Sequence, residues 1–126
     1  PESIEHVGNN LHLPASPTHL PKKLSYVGGR LDTRRTTIQD LPETLTHVGG
    51  DLLLNNSISR LPNNIQYIGE SLNLYFNDVM TQIPDSLVSI NRLILNEKWK
   101  KTDKYTKLIE YVETQKIVKE AVQFGI

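Results

Sequence analysis

Residues 41–54, LPETLTHVGGDLLL, form the most regular unit of the 126-residue sequence, and most other segments repeat its pattern. Upstream the same frame reads LPKKLSYVGGRLDT over residues 20–33, and downstream it reads LPNNIQYIGESLNL over residues 61–74. A weaker copy, IPDSLVSINRLIL, covers residues 83–95, and a fragment, PESIEHVGNNLHL, opens the chain at residues 1–13. Five copies at a period of about 20 residues predict a solenoid in which each copy forms one coil.

The copies share slots for apolar residues and glycine. A proline opens each copy, apolar residues follow three and six positions later, and glycine comes next in the first four copies. An L-x-L pair such as Leu52 and Leu54 follows. Because alternate residues of a strand point to the same side, the pair is predicted to face the core and the middle residue to face outward. The apolar pair before the glycine suits a helical or an extended segment, and the glycine allows a positive φ or a close approach of two chains.

The polar residues after each L-x-L pair predict a turn. Ser57 and Asn77 lie three positions beyond the second leucine, where a side chain can bond backbone groups within a turn. An apolar residue is then expected to return to the core, and the candidates are Ile38, Ile58 and Val79.

The repeat resembles the leucine-rich repeat. The copy LNLYFNDV at residues 72–79 is similar to the LxLxxNxL part of that pattern, and the LPxxLxxVGGxLxL variant resembles short leucine-rich repeat proteins of bacteria and their phages. The resemblance covers about three quarters of the chain. It implies an α/β solenoid of about five short parallel strands over residues 1–95, followed by a C-terminal helical cap over residues 96–126. It further implies an intracellular bacterial protein partner, a cytoplasmic location in a bacterial or phage-infected cell, and a role such as a phage-encoded inhibitor of a host or defence protein.

The tail leaves the repeat period. Thr102 or Asp103 can cap a helix, and one helical face then contains Tyr105, Leu108, Ile109 and Val112. A second apolar set, out of phase with the first, contains Ile117, Val118, Ala121 and Val122. The pattern predicts two short helices, or one bent helix, that cover the open end of the solenoid. The alternative is a tail that binds a partner or a second copy of the chain.

The outward positions of the strands predict a protein-binding face. The candidate residues on it are Arg30, Asp32, Arg34, Arg35, Leu53, Asn55, Asn73, Tyr75, Phe76, Ile94 and Glu97. Aromatic and arginine side chains dominate protein interfaces, and contiguous exposed apolar surface indicates a partner. In the alternative interpretation, Leu53 and Ile94 are ordinary exposed apolar residues, and one of the adjacent Tyr75 and Phe76 turns inward.

The charge distribution predicts an alternative function for the tail. The formal net charge is zero, but residues 1–97 hold 7 Lys/Arg against 10 Asp/Glu, whereas residues 98–126 hold 7 against 4. Lysines can neutralise phosphates and aromatic rings can stack on bases. The alternative is therefore a nucleic-acid-binding accessory protein that uses Lys98, Trp99, Lys100, Lys101 and Lys104. In the competing interpretation, these lysines form a solvated face and Trp99 packs on the last repeat.

The sequence carries no recognisable catalytic or metal-binding motif. It has no cysteine, which excludes disulfides and thiolate sites, and no HExxH, nucleophile-elbow or phosphate-loop pattern. His6 and His47 share one repeat slot two coils apart, and stacking would separate them by about 10 Å, too far to share an ion. No apolar run reaches the ~18 residues of a membrane span. We therefore expect a non-catalytic protein without metal, cofactor or membrane segment.

Overall fold

The repeat folds into parallel coils, and each of the first three coils carries two short strands. The computed structural model describes residues 4–12 and 20–125. One stack consists of β1 (His6–Val7), β3 (Tyr26–Val27) and β5 (His47–Val48), and the other of β2 (Leu11–His12), β4 (Leu31–Asp32) and β6 (Leu52–Leu53). In the next coils the two strands merge into β7 (Tyr67–Leu74) and β8 (Ser89–Leu95). All the pairings are parallel, which confirms the predicted solenoid.

The registers follow the sequence repeat. Val48 pairs with Val27 and Ile68, and Leu52 pairs with Leu31 and Leu72, so equivalent slots of successive copies stack directly. From the second copy onward, the apolar residues three and six positions after the proline, and the flanking leucines, form one continuous core, and Ile4 and Val7 of the first copy pack against it. The segment around the sixth position is a strand, so the extended alternative is confirmed and the helical one is wrong.

Glycine follows the sixth position because the backbones of successive coils approach each other closely there. A Cβ atom at Gly28, Gly49 or Gly69 would overlap the carbonyl oxygen of the glycine one coil earlier. None of these glycines has a positive φ, and the described glycine that does is Gly125. The prediction of a tight approach is therefore confirmed, and the expectation of a positive φ at this bend is wrong.

Two turns differ from the expectation because the copies differ in length. Ile38 and Ile58 are buried as predicted, but Val79 is exposed and Met80 enters the core in its place. The fourth turn has one more residue between its inward positions than the second turn, which moves the inward position from Val79 to Met80. Asn77 bonds backbone groups as predicted, whereas Ser57 is exposed and Asn55 supplies the corresponding amide in the third turn.

The tail contains one helix and one more strand. After a 3₁₀ turn at Glu97–Trp99, α1 spans Thr106–Thr114 and buries Leu108 and Val112, which confirms the predicted helical face. Its N-cap is Tyr105, and no side chain caps the helix, so the predicted caps Thr102 and Asp103 are wrong.

The second predicted helical segment is instead strand β9 (Val118–Phe124), parallel to β8. Val118 pairs with Ile90 and Val122 with Leu93, because an irregularity adds one residue to β9 between these pairs. The extra residue spaces the two valines by four, which is the spacing of a helical face. A bulged strand therefore resembles a helix in the sequence.

Candidate functional site

The predicted outward residues form a ladder that is more buried than expected. In successive coils Asp32, Leu53, Asn73, Ile94 and Gln123 occupy one register position. Leu53 and Ile94 lie outside the core cluster, as the alternation predicts. However, the exposed fractions of Asp32, Leu53, Asn73 and Ile94 are 5%, 6%, 7% and 8%, so the expectation that they are exposed is wrong. Side chains stacked at a rung spacing of about 4.8 Å cover one another's flanks.

Asn55 is also buried, because its amide holds two coils together. Its side-chain nitrogen donates to the backbone oxygens of Thr36 and Ile38 at 3.2 and 2.9 Å. Its side-chain oxygen accepts a hydrogen bond from the hydroxyl of Thr33 at 2.9 Å. Thr33 occupies a core-facing slot that holds leucine in the next three copies, so the polar pair replaces one apolar contact. Asn55 is therefore structural rather than an exposed recognition residue.

Arg34 is held in a fixed orientation at the edge of this face. Its Nε and Nη2 atoms donate to the two carboxylate oxygens of Asp32 at 2.9 and 2.7 Å. The hydrogen bond to Asp32 raises the pKa of Arg34 above its ordinary value. The guanidinium carbon also lies 5.8 Å from the centre of the Phe76 ring, and Tyr75 packs edge-on against that ring at 5.0 Å. Arg34, Tyr75 and Phe76, which the sequence predicted as separate candidates, therefore meet in one cluster.

A cavity of about 480 Å³ opens beside this cluster, and we call it the arginine cavity. Phe76 keeps 51% of its surface exposed there. Arg35 is exposed at the cavity, and within residues 4–12 and 20–125 its guanidinium has no hydrogen bond or ion pair. The cavity is lined by Asp32, Arg34, Arg35, Asn55, Asn56 and Phe76.

The other predicted binding residues lie outside the arginine cavity. The Arg30 guanidinium lies 3.5 Å from the Asp51 carboxylate. Glu97 is exposed and accepts a hydrogen bond of 3.4 Å from the Tyr75 hydroxyl. Asn73 accepts a hydrogen bond from the backbone nitrogen of Tyr75 at 2.9 Å. The contacts with Glu97 and Asn73 position Tyr75, which packs against the Phe76 ring.

In the basic segment, Trp99 makes internal contacts. Its ring packs against the core, and its indole nitrogen donates to Asp78 at 3.3 Å. Lys98 lies 3.2 Å from the same carboxylate, and Lys104 lies 4.6 Å from the centre of the ring. Burial raises the pKa of Asp78, but the hydrogen bonds from Trp99 and Lys98 outweigh it and lower the pKa below its usual value. Lys100 and Lys101 are exposed.

The structure also shows a histidine–tyrosine ladder, formed by His6, Tyr26, His47 and Tyr67, that the sequence reasoning missed. The His6 and Tyr26 rings stack at 4.3 Å with an angle of 6° between them. The two following pairs are both 6.0 Å apart and more tilted. All four residues lie five positions after the copy-opening proline. A comparison of that slot across the copies, rather than of the histidines alone, would have found the ladder.

Among the residues that the structure describes, no three His, Asp or Glu side chains are placed to hold a metal ion. The helices in the same part of the chain are all too short or too polar to cross a membrane. Comparisons with protein-family models, curated proteins and solved structures found no match, so the resemblance to leucine-rich repeat proteins stays a prediction.

Proposed function

We propose that this chain is a non-catalytic protein-binding module that holds its partner at the arginine cavity. The main support is the combination of a half-exposed Phe76 with the Arg35 guanidinium, which is unpaired among the described residues, beside a cavity of about 480 Å³. Aromatic and arginine side chains in partly enclosed pockets are the residues that contribute most to protein interfaces. The volume lies within the range of sites that hold a ligand or a few partner side chains.

The scaffold gives this cluster a rigid position. Arg34 is fixed by two hydrogen bonds to Asp32, and Tyr75 is fixed by its contacts with Asn73 and Glu97. A preorganised surface loses little conformational entropy when it binds, and this favours affinity. The partner is therefore bound by a few side chains at the turns, and the ladder residues Asp32 and Asn73 hold Arg34 and Tyr75 in place.

A selection experiment tests the proposal. A displayed library of protein fragments is selected on the full chain, and the bound fragments are measured against variants Phe76→Ala and Val88→Ala. Val88 is 62% exposed and lies outside the cavity, so it is a matched control for the loss of an exposed apolar side chain. We expect Phe76→Ala to weaken binding tenfold or more without lowering the unfolding midpoint, and Val88→Ala to bind like the wild type. Equal binding by both variants would contradict the proposal.

The nucleic-acid alternative has less support because Trp99 packs internally and Lys98 pairs with Asp78. It predicts that affinity for an oligonucleotide falls steeply with salt and disappears in the double variant Lys98→Glu/Lys101→Glu. The tail also offers little for assembly, since Lys119 and Glu120 place charges on β9, a common protection of edge strands. A phage-encoded inhibitor role, a bacterial intracellular partner, a cytoplasmic location and dimerisation through the tail stay predictions.

A further inference from the structure

We infer that the arginine cavity selects a partner segment in which a single carboxylate side chain lies next to an apolar side chain. This inference rests on the proposed function and adds the chemistry of the partner. It follows from the charges that line the cavity and from the placement of the Phe76 ring.

The charges leave one cation for the partner. Asp32 accepts two hydrogen bonds from the Arg34 guanidinium, so these two charged groups largely neutralise each other. Arg35 adds a second guanidinium, which gives the three charged lining residues a net charge of +1. A guanidinium binds a carboxylate through two parallel hydrogen bonds, and a partly enclosed site strengthens such bonds. One carboxylate therefore neutralises the net charge of the cavity lining.

The uncharged part of the cavity favours an apolar neighbour. Phe76 presents half of its surface, and Tyr75 and Arg34 contact its ring and limit its movement. Asn55 uses its amide within the fold, and the side-chain oxygen of Asn56 accepts a hydrogen bond from the backbone nitrogen of Asp78 at 2.7 Å. An aliphatic or aromatic side chain can cover Phe76 while the carboxylate reaches Arg35.

The same arrangement disfavours a phosphate group. A phosphate carries up to two negative charges, whereas Asp32 already places a carboxylate in the lining. Arg30 lies outside the cavity and pairs with Asp51, and among the described residues Arg35 is the one unpaired guanidinium of the lining, which does not balance the excess charge. These charges distinguish an acidic peptide from a phosphopeptide or a nucleic acid.

The test uses the full chain and an array of synthetic, end-blocked octapeptides. Each member carries glutamate or glutamine next to leucine or alanine in an otherwise neutral background, and a further set carries phosphoserine in place of glutamate. We expect the glutamate–leucine peptides to bind tenfold or more tightly than their glutamine or alanine counterparts. Arg35→Gln should remove the preference for glutamate. Lys23→Gln should keep it, because Lys23 is exposed and lies outside the cavity.

The outcomes separate this inference from the proposed function. If peptides bind in a way that depends on Phe76 but glutamate and glutamine members bind equally, the inference is wrong and the proposed function stands. Phosphoserine peptides that bind as tightly as the glutamate peptides would also overturn it. If no peptide or protein fragment responds to Phe76→Ala, both are wrong.

Discussion

Replacement of Gly49 by alanine should destabilise the protein strongly, because the coils touch backbone to backbone at the glycine bend. The new Cβ would overlap the carbonyl oxygen of Gly28, which cannot move without the rest of its coil. At this bend Gly49 donates to Val27 and Gly50 donates to Gly29, both at 2.8 Å. Loss of two such hydrogen bonds costs about 2 kcal/mol, and overpacking adds about 1–3 kcal/mol. We expect a loss of about 3–5 kcal/mol in the free energy of unfolding, a large part of the total for a domain of this size.

Gly8 provides a control in the same repeat slot. A Cβ atom there meets no atom within 4 Å, and its φ is not positive. Because alanine restricts the unfolded chain more than glycine does, Gly8→Ala should be neutral or stabilise the fold by up to about 1 kcal/mol. Urea unfolding, followed by circular dichroism and by Trp99 fluorescence, measures the free energy of unfolding of both variants, provided that the two probes report the same transition. Equal urea midpoints for the two variants would refute the argument.

Three further predictions concern the polar and aromatic contacts between coils. Asn77→Ala should lower the free energy of unfolding by about 3–5 kcal/mol, because the buried Asn77 side chain makes four hydrogen bonds to backbone groups at about 1 kcal/mol each. In the same urea assay the control Asn64→Ala, which removes one exposed hydrogen bond, should cost less than 1 kcal/mol. Similar losses for the two variants would contradict the argument. Burial raises the pKa of Tyr105 to about 12, so the folded state keeps a proton that the unfolded state loses above about pH 10. The contribution of Tyr105 to the free energy of unfolding should therefore be fully present below pH 10 and fall as the pH rises towards 12. The free energy of unfolding should fall more steeply with pH in the wild type than in Tyr105→Phe, and parallel curves of this quantity against pH would contradict the prediction. Tyr26→Ala should lower the free energy of unfolding by about 1–2 kcal/mol, because it removes stacking with two histidine rings, and an unchanged urea midpoint would show that the ladder contributes nothing.

The framework of the fold was predictable because the repeat specifies it many times. Each proline, apolar slot and L-x-L pair recurs, so an ambiguous copy is resolved by its neighbours. The tail has no such redundancy. Its apolar residues at 117, 118, 121 and 122 fit a helix and a bulged strand equally well, and the free edge of β8 decides between them. Pairing with an existing edge is a tertiary effect that local spacing does not contain.

The candidate site was predictable in part. Alternation along the strands correctly placed Leu53 outside the main core cluster, but it could not show that neighbouring coils bury it. The same alternation gave no indication that Asn55 turns its amide towards the previous coil. Arg34, Arg35 and Phe76 were identified from residue type, and their convergence required the stacking of coils that lie about 20 residues apart in sequence. Residue type therefore indicated the site, and coil register assembled it.

The arginine cavity arises from unequal turn lengths. Between core-facing residues, the second coil advances five positions from Thr33 to Ile38, the fourth advances six from Leu74 to Met80, and the third advances only four from Leu54 to Ile58. The short third turn leaves space between the arginines of the second coil and Phe76 of the fourth, and its Asn55 and Asn56 form part of the lining. A strictly regular repeat would fill this space with a turn of equal length. The irregularities that weaken the sequence pattern are therefore the features that create the candidate site.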